Sequence, residues 1–232
     1  MKKLLLISSS RLHGSATLEY CRDAIGAHFK GISKILFIPY ALADHDGYRD
    51  HIAEALAPID IEVDSIHNAN APIDAVNEAQ GIFVGGGNSF RLLKTLYDLE
   101  LIAPIRARVE SGLPYMGSSA GTNMACPTIR TTNDMPIVEP PSLSALNLIP
   151  FQINPHYLDA DPNSTHKGET RMQRLQEYLE ENSVPVAGLR EGSWLEVAGD
   201  SCTLRGEKDM ILFEQGKDHR ELPTGSDLGF LM

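Results

Sequence analysis

The sequence predicts an α/β fold, a parallel-rich central sheet flanked by helices with a β meander at its C-terminal end. Two observations lead to it. Apolar, β-rich runs alternate with segments of helical periodicity through most of the chain, as strands joined by crossover helices do. From residue 193 onward the β runs instead follow one another with only Gly-containing turns between them. With 232 residues, 42% of them hydrophobic, and no composition typical of a linker, one α/β domain over 1–232 is expected.

Strands are expected at 3–9 (KLLLISS), 34–39 (KILFIP), 60–66 (DIEVDSI) and 81–84 (GIFV), then briefly at 113–116, at 148–153 (LIPFQI) and at 185–189. Runs at 193–198, 201–205 and 209–214 supply the meander. Leu18, Ala24, Ile25 and Phe29 recur at helical spacing within 16–30, and 49–57 has the same character until Pro58 ends it. Asn88 is placed to cap a helix through Leu99, and a second helix over 102–111 stops at Gly112. Segment 167–182 is also helical, whereas 157–166 reads as loop. Between 127 and 147 Pro, Thr, Asn and Ser dominate, which predicts a long irregular connection of the kind that is often functional.

A formal charge of −11 makes the molecule repel polyanions, which argues against sequence-independent binding to nucleic acid or an anionic membrane. The apolar run after Met1-Lys2-Lys3 ends at Ile7, too soon for a secretory signal core. No run approaches the roughly 18 apolar residues of a membrane span. Cys21, Cys126 and Cys202 are widely spaced, lack the close pairs of a zinc or redox site, and suit a reducing cytoplasm.

Gly117-Ser118-Ser119-Ala120-Gly121 has the Gly-x-Ser-x-Gly form of a nucleophile elbow, set between a short strand and a helix beginning at Ala120. Its glycines permit a strained turn that projects the central serine from the sheet edge, and the first helical amides can face negative charge formed there. Ser119 is therefore the candidate nucleophile, with Ser118 as its rival. Gly85-Gly86-Gly87-Asn88 follows the strand at 81–84, so its amides emerge at the same carboxyl edge and one of them can complete an oxyanion hole. It lacks the Gly-Lys-Ser/Thr ending of a phosphate loop and the spaced glycines of a dinucleotide site. Of eight histidines, His156 has the setting of a general base, because Asn154-Pro155-His156 follows an apolar strand to that edge. Glu191, after the strand at 185–189, can orient it. The resulting order of serine, histidine, acid differs from the serine, acid, histidine order of α/β-hydrolases. That order would need Asp159 or Asp161 with His219, which sits in a polar run near the terminus.

Several segments taken together resemble peptidase E, the α-aspartyl dipeptidase family. They are Val84 to Phe90, Gly117 to Asn123, Cys126 to Val138, Gln152 to His156, His166 to Arg171 and Glu191 to Trp194, in the family's order. The resemblance implies a class I glutamine amidotransferase-like or flavodoxin-like arrangement and hydrolysis of dipeptides with an N-terminal aspartate, without metal or other cofactor. It also implies a triad of Ser119, His156 and Glu191, with the amides of Gly87 and Ala120 as oxyanion donors. Asp134 resembles a position needed for activity and is expected to organise its loop, beside the capping Asn88. Ser118 stands where family members often carry a bulky residue. A protein of charge −11 needs local cations to select an aspartate, and Lys167, Arg171 and Arg174 fall on one face of the helix expected at 167–182, with His166 before them. Arg171 is the choice for the aspartate carboxylate, because guanidinium can grip it through two parallel hydrogen bonds. The alternatives are a cyanophycinase-like peptidase cutting β-aspartyl-arginine bonds and a metabolite-binding relative without activity. Monomer and homodimer are both compatible with the sequence.

Overall fold

The computed structural model describes every residue except Pro162, Ser164 and His166. Its described strands form two sheets. The larger holds, in spatial order, β3 (Glu62–Ser65), β2 (Lys34–Ile38), β4 (Ile82–Val84), β5 (Tyr115–Ser118), β1 (Lys3–Ile7), β8 (Ser193–Ala198) and β9 (Ser201–Gly206). The first five are parallel, and β8 and β9 are added antiparallel at the β1 side. The smaller runs β11 (Arg220–Leu222), β10 (Met210–Phe213), β7 (Val186–Arg190) and β6 (Gln152–Tyr157), with only β6 and β7 parallel.

The central strands read as continuous apolar runs because both faces of the sheet are covered. Leu4 and Leu6 of β1 pack with Leu36 and Ile38 of β2 on one face, and Leu5 and Ile7 pack with Ile35 and Phe37 on the other. The helices are α1 (Arg22–His28), α2 (His45–Leu56), α3 (Pro72–Glu78), α4 (Ser89–Asp98), α5 (Ile102–Glu110), α6 (Ala120–Ala125) and α7 (Arg171–Glu181).

Four boundaries differ from those expected. The helix expected at 16–30 shrinks to α1 after a 3-10 turn at Glu19–Cys21, because Leu18 takes a left-handed φ of 59° and its amide bonds to Ser10 O, leaving 11–18 as a loop. The helix expected at 49–57 starts at His45, where Asp44 caps it by accepting from Gly47 N at 2.9 Å. Leu148, Ile149 and Phe151 are buried but 148–151 is not a strand, since the amides of Leu148 and Ile149 bond to Ala125 O at the end of α6, so β6 begins later and runs through His156. The helix expected at 167–182 starts at Arg171, fixed by a capping box between Thr170 and Gln173. Lys167 therefore lies outside it, exposed. Helix α3 was not foreseen, although Pro72 at its start is an ordinary helix opening.

The C-terminal strands lie close to where they were expected but form no single meander. β8 and β9 extend the large sheet as a hairpin, while β10 crosses to the small sheet and pairs with β7 and β11. Every residue of β10 is buried, which suits a place between two strands and not one at the edge beside β9.

His28, at the end of α1, is 7% exposed and its Nε2 has no hydrogen-bond partner among the described residues. Burial, with the Lys3 charge beside it, pulls its pKa from 6.5 to about 3. The unfolded chain thus takes up a proton near pH 6.5 that the folded one refuses until about pH 3. Its contribution to stability is full above that window and is lost as pH falls, by at most about 1.4 kcal/mol per pH unit. His28→Leu is expected to flatten the acid limb of unfolding free energy against pH, measured by urea titration. An unchanged slope would place the acid sensitivity elsewhere.

Candidate functional site

Strand β5 ends at Ser118, and the chain turns at Ser119 into α6 with φ 54° and ψ −111°. This is backbone that residues with side chains rarely adopt, at roughly 1–3 kcal/mol of strain. The turn persists because its surroundings leave no other path. Ser119 N donates to Ile7 O at 3.0 Å, Thr122 Oγ1 donates to Ile7 O at 2.7 Å, and the Tyr115 hydroxyl donates to Gly121 O at 2.6 Å. A Cβ on Gly121 would stand 2.0 Å from Val84 O, and one on Gly117 would stand 2.4 Å from Gly121 O, so both flanking glycines are required by close backbone approach. Ser118 is fully buried with an unpartnered hydroxyl, whereas the Ser119 side chain faces a cavity of about 590 Å³.

His156 reaches that cavity by a bulge. The register of β6 on β7 shifts between Pro155 and Tyr157, leaving His156 as the extra residue at φ 54°. Its amide, released from the ladder, donates to Ser8 Oγ at 2.9 Å, and Ser8 Oγ donates to Leu189 O at 2.7 Å. Thus aimed, His156 Nε2 lies 2.8 Å from Ser119 Oγ and its Nδ1 lies 2.5 Å from Glu191 Oε1. Glu191 follows β7 directly, and Gly192 at φ 89° turns the chain into β8. Arg190 anchors that end of β7 by gripping both carboxylate oxygens of Asp159 at 2.7 and 2.9 Å and Glu221 at 2.6 Å. Its guanidinium holds the Asp159 carboxyl below the usual range. Of the alternative acids and base, Asp159 is thereby held by Arg190, Asp161 Oδ1 accepts from Asn163 N at 2.8 Å, and the His219 ring stacks on Phe213, lining a cavity other than that of Ser119.

The Gly-rich segment after β4 stands over Ser119. Gly85 N donates to Ile38 O, Gly86 N to the Tyr48 hydroxyl at 2.8 Å, and Asn88 N to Ala41 O. Gly87 holds φ 130°, and a Cβ there would meet Ala41 O at 2.6 Å. Among the described residues the amides of Gly87 and Ala120 have no hydrogen-bond acceptor, while those of Ser119, Gly85, Gly86 and Asn88 are all engaged. Two unused donors thus flank Ser119, an arrangement suited to negative charge developing on an oxygen.

Asn88 caps α4 by accepting from Arg91 N at 3.0 Å and donates to Met135 O at 2.8 Å. Asp134 Oδ2 accepts from Ser89 N at 2.7 Å and from Thr132 Oγ1 at 3.1 Å. Together they moor the irregular 127–147 connection to the Gly-rich segment. The same connection is tied to β6 by Asn133, which donates to Pro155 O at 2.7 Å, and by Asn154, which donates to Thr131 O at 2.8 Å.

Of the candidate substrate contacts, His166 lies outside the described residues, and Arg174 pairs with Glu169 at 3.5 Å. Arg171 lines a neighbouring cavity with Asp159 and Thr170, not the cavity of Ser119. Burial first and then the Arg174 charge hold its pKa below the usual value, with the Asp134 charge opposing them only in part. The sequence reading missed Arg11, Thr17, Tyr48 and His51, all of which line the Ser119 cavity. Tyr48, His51 and Ile52 stand at i, i+3 and i+4, one helical face, but starting α2 at 49 hid Tyr48 from that pattern. Arg11 falls between the strand expected at 3–9 and the helix expected at 16–30 and carries no signal, and Thr17 is hidden within that expected helix.

Residues 4–205 match the model of peptidase family S51. The chain is 56% identical over 229 residues to peptidase E of Streptomyces coelicolor, covering 99% of this chain and 94% of the relative. It is 49% identical over 234 residues to a probable alpha-aspartyl dipeptidase of Drosophila melanogaster, covering 100% and 98%. Among solved structures it is similar in fold to a putative peptidase E protein from Listeria monocytogenes, with TM-score 0.69 at 22% identity over 90% of this chain and 100% of that one.

If the elbow is strained as its dihedrals indicate, glycine should be the better residue at position 119. Ser119→Gly and Ser119→Ala both lose the hydroxyl, yet the glycine variant is expected to be more stable by about 1 kcal/mol in urea unfolding, reversing the usual order. A more stable alanine variant would mean that the turn is relaxed.

Proposed function

The chain belongs to peptidase family S51, and from that premise we propose that it is a serine-type dipeptidase hydrolysing α-aspartyl dipeptides, Asp-Xaa. The observation that carries this reading is the unbroken hydrogen-bonded chain Glu191, His156, Ser119 beside two unpartnered amides.

In this reading His156 Nε2 removes the Ser119 proton as Oγ attacks the aspartyl carbonyl carbon, and Glu191 holds the Nδ1–H side of the ring and stabilises the imidazolium. Gly87 and Ala120 donate to the oxyanion, which the site has prepared before substrate arrives. The imidazolium then protonates the leaving amine, and a water activated by the same histidine releases aspartate from the acyl-enzyme. Asp134 and Asn88 act through the loop they moor, keeping the Gly87 amide in place. Arg171 is assigned the aspartate side chain, on the strength of its charge and of the planar, two-bonded grip a guanidinium offers a carboxylate. No metal or other cofactor enters these steps. No helix among the described residues is long and apolar enough to cross a membrane, and a cytoplasmic location belongs to the same reading.

The test is a panel of Asp-Leu, Asn-Leu, Glu-Leu and β-Asp-Arg. The reading expects Asp-Leu to be cleaved best and to survive EDTA, with Ser119→Ala and His156→Ala each lowering kcat on the order of 10⁴-fold or more. Arg171→Ala should narrow the preference for Asp-Leu over Asn-Leu. Faster cleavage of β-Asp-Arg would replace this substrate class, and turnover that survives Ser119→Ala would remove the nucleophile.

A further inference from the structure

An α-aspartyl dipeptide carries two carboxylates, the aspartate side chain and the free C-terminus of the leaving residue. The reading above provides a cation for the first only. Among the described residues lining the Ser119 cavity, Arg11 is the one Arg or Lys, set against the acidic groups Asp44 and Asp134. Its backbone is fixed just beyond β1: Arg11 N donates to Ser9 Oγ at 3.1 Å, Ser9 Oγ donates to Arg11 O at 2.6 Å, and the Tyr20 hydroxyl donates to Ser9 O at 2.6 Å. The guanidinium, by contrast, makes no hydrogen bond or ion pair with any described residue. A rigid base thus presents an exposed cationic side chain at the cavity, free of any described hydrogen-bond or ion-pair partner.

The side of the cavity on which Arg11 stands identifies what it meets. Ser8 accepts the amide of His156, and the Leu12 side chain lies 3.6 Å from the place a Cβ on Gly192 would take, next to Glu191. Segment 8–12 therefore runs along the His156–Glu191 pair. Gly87 and Asp134 stand at the opposite wall, where α4 begins, since β4 and β1 flank β5 on its two sides. Since His156 must hand a proton to the departing amine, the leaving residue lies on the histidine side, and the acyl residue on the other.

We propose that Arg11 binds the C-terminal carboxylate of the leaving amino acid and thereby favours dipeptides over longer or capped peptides. The inference rests on the aspartyl dipeptidase reading and deepens it. Each added residue moves the terminal carboxylate about 3.5 Å farther away and leaves a neutral amide in its place, which offers guanidinium no charge to grip.

The experiment compares kcat/KM for Asp-Leu, Asp-Leu-amide and Asn-Leu in the wild type, Arg11→Gln and Arg11→Lys. The exposed, unbonded side chain makes misfolding of these variants an unlikely complication, and the amide substrate serves as the internal control. The wild type should prefer the free carboxylate over the amide by about ten- to a hundredfold, the range for a hydrogen-bonded charge pair. Arg11→Gln should bring that ratio to about one, Arg11→Lys should restore part of it, and the Asp-Leu to Asn-Leu ratio should hold. Equal losses on Asp-Leu and its amide would overturn the assignment, as would a collapse of the Asp-Leu to Asn-Leu ratio, which would move Arg11 to the acyl side chain. A wild type that cleaves both peptides equally well would overturn this inference alone. One that cleaves neither would overturn the dipeptidase reading and this inference with it.

Discussion

The site depends on the contact between α6 and the ends of β1 and β4. Ile7 O receives both the Ser119 amide and the Thr122 hydroxyl, and Val84 O lies so close to Gly121 that no side chain fits between them. These contacts are buried in the sheet's core, where neighbours cannot give way without opening the packing of Leu6, Tyr115 and Met124. Strain at Ser119 is therefore sustained by the whole large sheet, and the hydroxyl is presented in one direction.

His156 comes from the other sheet, so the two sheets must be held in register. Ser8, fully buried, does this from a single position: its amide donates to Ser193 O, its hydroxyl donates to Leu189 O, and it accepts the amide of the bulged His156. Strand β5, which leads into Ser119, and the strand β1 that precedes Ser8 are direct neighbours. A shift of the small sheet that lengthened the Ser119–His156 contact would therefore also strain the Ser8 bonds. The Asn133, Asn154 and Asp134 bonds add a second tie through the irregular connection.

What could be read from the sequence was what short-range chemistry dictates. The Gly-x-Ser-x-Gly turn and the Asn88 cap each follow from residues within a few positions of one another and lie where they were expected, and the alternating strand and helix pattern gives the layering though not every boundary. Apart from the starts of α2 and α7, set by the local caps Asp44 and Thr170, the departures arise where a distant partner decides. The bulge at His156 needs Ser8, 148 residues away, to receive its amide. The apolar run at 148–151 looks like a strand until α6 offers its terminal carbonyl to Leu148 and Ile149. The last strands divide between two sheets because β10 fits between β7 and β11, a matter of sheet assembly that local alternation does not encode. Arg11 was invisible for the same reason: nothing near it in the chain marks it, and only the folded β1 end brings it to the cavity.

The central claim is that the strained serine, and not its buried neighbour, forms the covalent bond to the substrate's acyl group. The most direct measurement is to treat the protein with a serine-directed fluorophosphonate and locate the modification by tandem mass spectrometry. The account predicts a single phosphonyl group on Ser119 in the wild type, formed with loss of fluoride, and its near absence in His156→Ala. Modification of Ser118, or labelling of Ser119 that proceeds equally well without His156, would contradict it.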